Sequence, residues 1–262
     1  MIKQDLKSLE GKSIYIIREA KLKFKNVAAL WSMGKDSTTM LALTRKAFLG
    51  KVPFPVIHID NSIDFPETYK FRQDLAKKWG LNLIVARSEI KPDIIGSACC
   101  GKNKPETLKK VMKEYGFDAL IVSIRRDEHG IRSKERYMSP RDEKFRWNFK
   151  DQPAELWDDY SSKLDEAGHV RVHPILDFNE IDIWNYIKKE RVPVNPLYFS
   201  RDGYRYRSLG CTHCTTPIKS AAKNVDDIIK ELSTTKTEER SGRSMDKENA
   251  YVMERLRQFG YM

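Results

Sequence analysis

The chain has 262 residues and a formal net charge of +11, with 40% hydrophobic and 32% charged residues. This length supports one large α/β domain with its own core, and the composition excludes a largely disordered chain. No apolar run reaches the ~18 residues of a membrane span, and the N-terminus lacks the apolar core of a secretory signal, so we expect a cytoplasmic protein without a membrane partner. The positive charge favours anionic partners, or serves only as a solvated basic surface.

Helices and strands alternate along the first half of the chain. Apolar residues at helical spacing predict a helix over 5–24, and a buried strand follows at 27–31. The next predicted elements are a helix ending at Phe48, a strand at 54–60, a helix at 66–80, a strand at 81–87, a helix at 104–116 and a strand at 117–124. This order predicts an α/β fold with a doubly wound, mainly parallel sheet flanked by helices.

The pattern changes in the second half of the chain. Residues 140–170 read as a charged and aromatic loop, followed by a strand at 170–176 and a capped helix at 179–190. Beyond Pro196 the chain becomes polar and irregular, with two helix-like pieces. We therefore predict an α/β domain at 1–200 and a C-terminal arm at 201–262 that lies on the core or on a partner.

The turn after the first predicted strand reads SMGKDS, at residues 32–37. In an open parallel sheet, ligands bind at the carboxyl ends of the strands, and the N–H groups and dipole of a helix start attract anions. Neither the Walker loop nor the dinucleotide-binding glycine pattern is present there. The segment instead fits the loop written S-G-G-x-D-S, which binds pyrophosphate in enzymes that split ATP between its α and β phosphates.

Each polar residue of this loop has an expected role. Gly34 would let the backbone approach the phosphates, Ser32 and Ser37 would donate hydroxyls, and Lys35 would neutralise charge. Asp36 cannot bind an anion, so we expect it to cap the helix or to help hold Mg²⁺. The alternative is an ordinary capped helix start with a surface lysine.

Ordered segments along the whole chain match one enzyme family. They include SMGKDS with LTRKAF, YGFDALIVSIRRDE with RSKERYMSPRD, PAELWDDY, YRSLGC and ERSGRSMDKENAYVMERLRQFGYM. In these segments the chain resembles the small, ATP-binding subunit of bacterial sulfate adenylyltransferase, in the superfamily of adenine nucleotide α-hydrolases and PAPS reductases. This branch tolerates the bulky Met33 in place of the first loop glycine, so Met33 joins the predicted ATP-binding residues.

The resemblance implies an adenine nucleotide α-hydrolase fold and a nucleotidyltransferase activity. A sulfate oxygen would attack the α-phosphorus of ATP, releasing pyrophosphate with Mg²⁺ and leaving adenylyl sulfate. In the resembled enzyme a GTPase subunit drives this uphill reaction, and the C-terminal arm matches the region that docks on it. The chain lacks an insertion that the family carries between PLYF and RSLGC, where only SRDGYRY remains.

A basic segment, SIRRDEHGIRSKER, follows the fourth predicted strand. Guanidinium groups suit both sulfate and phosphate oxygens, so we predict catalysis by Lys35 and Asp36 with this segment's first two arginines. The predicted anion-binding residues are Arg125, Arg126, Arg132, Lys134 and Arg136. In the alternative, they form a solvated loop with salt bridges to nearby acids.

Asp60 ends the second predicted strand, at the same edge of the sheet. An acid at this position can meet Mg²⁺ or the ribose of a nucleotide. It can equally cap the turn that follows the strand. We include Asp60 among the expected ATP-binding residues and leave both roles open.

Four cysteines form two close pairs: Cys99, Cys100, Cys211 and Cys214. They resemble the four ligands of the [4Fe–4S] cluster in adenylylsulfate reductases, which share this fold, and adjacent cysteines are awkward for a closed zinc site. Four unrelated core thiols are the alternative. The reductase itself fits poorly, because its chemistry needs a further nucleophilic cysteine near the C-terminus.

Two other functions remain open from the sequence. One is an iron–sulfur ATP pyrophosphatase that activates tRNA or DNA for sulfur insertion or phosphorothioation, with nucleic acid and a cysteine desulfurase as partners. The other is a nucleotide-sensing regulatory subunit. Pyrophosphate release with sulfate, with nucleic acid, or with neither distinguishes the three. A homo-oligomer is compatible with each of them.

Overall fold

The computed structural model describes residues 5–88, 103–128, 132–150, 152, 155, 168–235 and 239. Its helices are α1 (Leu6–Lys23), α2 (Lys35–Ala47), α3 (Pro66–Trp79), α4 (Lys104–Tyr115), α5 (Glu180–Glu190) and α6 (Val225–Thr234). Its strands are β1 (Val27–Leu30), β2 (Val56–Asp60), β3 (Leu83–Arg87), β4 (Ala119–Ile121), β5 (Met138–Arg141), β6 (His169–Val172), β7 (Tyr204–Arg205) and β8 (Ile218–Lys219). The predicted sites Cys99 and Cys100 lie outside these residues, as does most of the arm beyond α6.

In the part of the chain that the structure describes, six strands form the central sheet, in the order β3-β2-β1-β4-β6-β5. All neighbours pair in parallel except β5, which runs antiparallel to β6. The predicted α/β fold with a mainly parallel sheet is therefore confirmed. The strand β5 overlaps the start of the predicted loop at 140–170, because its sequence MSPR shows no apolar alternation and only its pairing with β6 defines it.

The strand order reverses beside β1, and this reversal positions the site. From β1 the chain continues to β2 and β3 on one side, then returns to place β4 and β6 on the other side. All four residues of β1 are buried, as are all three of β4. In such sheets ligands bind in the crevice beyond the carboxyl ends of the strands at this switch point. The loop at 32–37 begins at that crevice.

Local signals set the ends of several helices as predicted. Pro66 begins α3, and Gly80 and Gly116 end α3 and α4 with φ angles of 61° and 64°. The helix α5 begins with a capping box, in which the side chains of Asn179 and Asp182 bond reciprocally to backbone N–H groups. Each signal depends on residues close in sequence, so it can be identified without the fold.

The described part of the arm packs against the domain. Ile228 of α6 is fully buried in the same core as the central sheet, and α6 contacts α5. Buried Arg205 reaches Glu231 of α6 at 2.6 Å. The short connection before it turns tightly at residues 202 and 203, both of which have positive φ. The core therefore extends past residue 200, and the division at that residue stays a prediction.

One prediction about membranes can be compared with the helices. Within the described ranges, no helix combines the length and the apolar character that a membrane span requires.

Candidate functional site

A cavity of about 180 Å³ opens at the carboxyl ends of β1, β2 and β4. Its apolar walls are Leu30, Trp31, Ile59, Val122 and Ile124. Its polar walls come from the loop at 32–37, from the loops that follow β2 and β4 in the chain, and from residues 208–210. The sheet thus places the predicted phosphate loop against an apolar slot, as a nucleotide requires.

The loop at 32–37 has a strained backbone. Met33, which stands where the pyrophosphate-binding pattern has glycine, has a φ of 56° and a buried side chain. A non-glycine residue in this left-handed region costs ~1–2 kcal/mol, so the surrounding packing must hold it there. Gly34 is extended, with a φ of −76°. The backbone conformation that favours glycine therefore occurs at position 33, where this chain has methionine, and not at Gly34.

Hydroxyl groups surround the start of α2. The Ser32 N–H donates to Ser37 Oγ at 3.2 Å, and the two serine hydroxyls lie 3.1 Å apart. The first helical N–H, that of Lys35, donates to the Tyr198 hydroxyl at 2.8 Å. Tyr198 thus occupies a helix-start donor of the kind that phosphate oxygens accept from. The sequence analysis missed Tyr198 because it lies far away in the chain.

Lys35 and Arg125 form a buried charged cluster with three carboxylates. The Lys35 ammonium lies 3.1 Å from Asp36, and the Arg125 guanidinium lies 2.9 Å from Asp127 and also bonds to Asp36. The Glu239 carboxylate bonds to both cations. Burial alone would lower the pKa of Lys35, but Asp36 and Glu239 raise the pKa above its usual value, and the cation persists.

Two features of this cluster differ from expectation. Asp36 does not cap α2, which begins at Gly34 without a side-chain cap bond; its carboxylate bridges Lys35 and Arg125 instead. No local sequence pattern marks Glu239 as a site residue: it begins the segment ERSGR, in the arm that the family resemblance assigns to partner docking. Burial would raise the pKa of Glu239, but Arg125 and Lys35 lower it well below the usual range.

The predicted anion-binding residues do not all meet at the cavity. Arg132 lines it and pairs with Glu128, while Arg126 points elsewhere and pairs with Asp177. The Lys134 ammonium lies over the Phe149 ring, 4.8 Å from its centroid, and Arg136 is exposed. Among the predicted residues that the structure describes, the cavity lining contains Ser32, Gly34, Lys35, Asp36, Ser37 and Arg132. Arg125 is not in the lining and bonds to Asp36 beside it.

Asp60 is engaged by its own neighbourhood. Its carboxylate accepts from the Ser62 N–H at 2.8 Å and the Tyr69 hydroxyl at 3.1 Å, and pairs with Arg72 at 2.9 Å. Burial would raise the pKa of Asp60, but these partners lower it. Of the two predicted roles, the geometry matches the turn cap.

His58 and Asp64 line the cavity, and the sequence analysis did not identify either residue. The His58 Nδ1 atom lies 3.3 Å from the Trp31 carbonyl oxygen, and its Nε2 lies 3.9 Å from an Asp64 oxygen. Burial and the charge of Arg72 lower the pKa of His58 to about 4. A histidine inside the apolar strand FPVIHID was the available signal.

Cys211 and Cys214 are buried cysteines, not joined by a disulfide, whose Sγ atoms lie 2.9 Å apart. They follow residues 208–210, which line the cavity. Searching only the described ranges finds no three His, Cys, Asp or Glu side chains arranged as metal ligands. The structure therefore supplies two candidate sulfur ligands, and the other two cysteines lie outside the described residues.

Acid is expected to destabilise this fold through two buried histidines. Burial lowers the pKa of His58 to about 4 and that of His169 to about 2, from 6.5. Below pH 6.5 the unfolded chain therefore binds more protons, and stability falls by up to about 1.4 kcal/mol per pH unit for each histidine. Urea unfolding at about pH 7 and about pH 5 measures the loss in the free energy of unfolding. His169→Phe should make this loss smaller, because one of the two histidines is removed. Equal stability at both pH values would contradict it.

Comparison with known proteins identifies the family. A family model described as the phosphoadenosine phosphosulfate reductase domain matches residues 26–217. A sulfate adenylyltransferase subunit 2 from Ectopseudomonas mendocina is 39% identical, over 98% of this chain and 97% of that protein. The same subunit from Aeromonas hydrophila is 40% identical, over 98% and 97%. The first alignment spans 297 residues and this chain has 262, so part of the relative has no counterpart here.

Solved structures resemble the fold. An FMN adenylyltransferase from Candida glabrata in complex with ATP matches with a TM-score of 0.58 and 17% identity, over 81% of this chain and 63% of that one. A phosphoadenylyl-sulfate reductase from Candida auris matches with a TM-score of 0.57 and 17% identity, over 82% and 99%. At this identity they support the fold alone. By its close relatives and its matched domain, the chain belongs to the sulfate adenylyltransferase subunit 2 family.

Proposed function

We propose that this chain is the ATP-binding subunit of a sulfate adenylyltransferase. One observation carries the proposal: two buried cations, Lys35 and Arg125, meet beside the start of α2 at the switch point of the sheet, in a chain 39% identical to this subunit over nearly its whole length. The same relatives favour this function over nucleic-acid thiolation and over a regulatory sensor.

The reaction requires charge neutralisation more than covalent help from the protein. A sulfate oxygen forms a bond to the α-phosphorus of ATP, the bond from that phosphorus to the bridging oxygen breaks, and its electron pair leaves on pyrophosphate. The two reactants are both anionic, so cations that hold them in line lower the barrier. In the proposal, the α2 start and Lys35 hold the outer phosphates, and Arg132 at the cavity approaches sulfate.

Magnesium is part of the proposal as a companion of ATP. It would supply positive charge to the departing pyrophosphate. Both oxygens of Asp36 already bond to Lys35 or Arg125, so Mg²⁺ would compete with these two cations for this carboxylate. Mg²⁺ commonly binds through substrate phosphates with few protein ligands, and we expect it to arrive on the nucleotide.

The partner and the cysteine cluster extend this proposal. The relatives are named as one subunit of an enzyme. We propose that a separate GTPase subunit contacts the arm at 201–262, and that the two work in the cytoplasm.

We also propose that the four cysteines hold a [4Fe–4S] cluster: Cys99, Cys100, Cys211 and Cys214. The closeness of the last two supports this proposal. Iron and sulfide analysis after anaerobic purification checks the cluster, and iron-free protein would contradict it.

The test of the function is sulfate-dependent pyrophosphate release. The full chain is assayed with ATP and Mg²⁺, with and without sulfate, and with and without the partner subunit. We expect release that needs sulfate and yields adenylyl sulfate. Formation of ADP, or release that ignores sulfate, would overturn the proposal.

A further inference from the structure

The cavity holds a buried hydrogen-bond acceptor that the phosphate chemistry does not use. His58 is 2% exposed and lines the cavity, and its Nε2 atom has no hydrogen-bond partner among the described residues. A buried polar atom without a partner is costly, so a ligand group that satisfies it gains affinity. His58 is therefore a candidate contact for a part of the nucleotide other than its phosphates.

The Trp31 carbonyl, which faces the His58 ring, determines what kind of group the His58 Nε2 atom can bind. The Trp31 carbonyl oxygen can only accept, and it lies nearer to the ring than the Asp64 carboxylate does, at 3.3 Å against 3.9 Å, so we assign the ring proton to the His58 Nδ1 atom. The Nε2 atom then presents a lone pair. The lowered pKa of His58 keeps the ring neutral near pH 7. The matching ligand group is a hydrogen-bond donor.

Asp64 adds a second acceptor at the same place. One of its carboxylate oxygens lies 3.9 Å from His58 Nε2, and both Asp64 and Lys104 line the cavity. Burial raises the pKa of Asp64, whereas the charge of Lys104 lowers it and favours the accepting carboxylate. A ligand group that faces both atoms should carry two hydrogens. An amino group fits this requirement, whereas a carbonyl oxygen would be repelled by both acceptors.

The position of His58 links this pair to the phosphate loop. Its ring bonds to Trp31, the residue directly before the loop at 32–37. Apolar Leu30, Ile59 and Val122 line the same cavity and can cover the faces of a flat base. One nucleotide can therefore place its phosphates at α2 and its base in the slot near His58.

We propose that His58 determines base specificity by accepting a hydrogen bond from the exocyclic amino group of adenine, with Asp64 as the second acceptor. This inference rests on the proposed function and names how its nucleotide is selected. Guanine carries a carbonyl oxygen at the equivalent ring position, so GTP is disfavoured at this cavity.

Binding of nucleotide analogues to the full wild-type chain tests the inference. Purine riboside 5′-triphosphate lacks the amino group and is otherwise like ATP. We expect it to bind about tenfold more weakly than ATP, the loss typical of one buried hydrogen bond. In His58→Phe the preference for ATP should shrink to the part that Asp64 alone provides, and His58→Gln, whose amide oxygen can accept, should restore part of the loss. Calorimetric titration measures the affinities.

The outcomes separate this inference from the function. If wild-type protein binds both nucleotides equally, or if His58→Phe weakens both by the same factor, His58 does not read the amino group. Sulfate-dependent pyrophosphate release in that same protein would leave the proposed function intact, whereas failure to bind ATP at all would overturn both. The wild-type comparison needs no variant, so a misfolded substitution cannot hide the answer.

Discussion

Replacing Lys35 with methionine is expected to lower the rate of pyrophosphate release by about 100-fold or more, the effect of removing one preorganised charge contact. The Lys35 ammonium is buried between Asp36 and Glu239. Without it, two carboxylates face the incoming phosphates and only Arg125 opposes them. The rate at saturating ATP, sulfate and partner subunit measures the effect.

The matched control is Lys46→Met, on the same helix. Lys46 is 41% exposed, pairs with Glu10 and Glu190 at 2.8 and 3.1 Å, and lies outside the cavity lining. Exposed pairs of this kind contribute about 1 kcal/mol or less, so we expect activity near that of the wild type. Because a buried pair is lost in Lys35→Met, its thermal unfolding should be recorded, and Lys35→Arg keeps the charge. A folded Lys35→Met protein with normal turnover would disprove the assigned role.

Replacing Glu239 with glutamine is expected to tighten ATP binding by about tenfold. The Glu239 carboxylate bonds both to Lys35, which we propose as a phosphate contact, and to Arg125, a predicted anion-binding residue. With it in place the cluster has two cations and three carboxylates, since Asp36 and Asp127 also pair with Arg125. Hydrogen bonds to charged groups contribute about 1.5–3 kcal/mol. The phosphates of ATP must therefore displace the Glu239 carboxylate from strong bonds with these cations before they can bind. Calorimetric titration with ATP measures the change.

Glu231→Gln serves as the control for Glu239→Gln. Glu231 is also a carboxylate of the arm that pairs with a buried arginine, Arg205, but neither residue lines the cavity. Its replacement should leave the affinity for ATP unchanged. Weaker ATP binding in Glu239→Gln would mean that this carboxylate organises the two cations for the nucleotide and does not compete with it.

The loop at 32–37 shows how much of the site could be predicted from sequence. Its residues are contiguous and follow a buried strand, so both the strand-to-helix turn and the prediction of phosphate binding there depend on local pattern alone. The same is true of α3 and α4, which end at glycines with positive φ. In contrast, the sequence predicts one anion site at 125–136, yet most of its cations separate because they contact different groups. These contacts are Arg125 with Asp36, Arg126 with Asp177, Arg132 with Glu128, and Lys134 with the Phe149 ring.

The amino-acid sequence by itself determined the alternation of helices and strands, the family, and the position of the strand-to-helix turn at 32–37, because these depend on periodicity and on short ordered motifs. Only the tertiary structure decided that Tyr198 reaches the first N–H of α2 and that Glu239 lies on Lys35 and Arg125. It also formed β5 by pairing with β6, and turned His58 toward the cavity. These contacts join residues far apart in the chain, and no local pattern specifies which distant side chains will share a buried space.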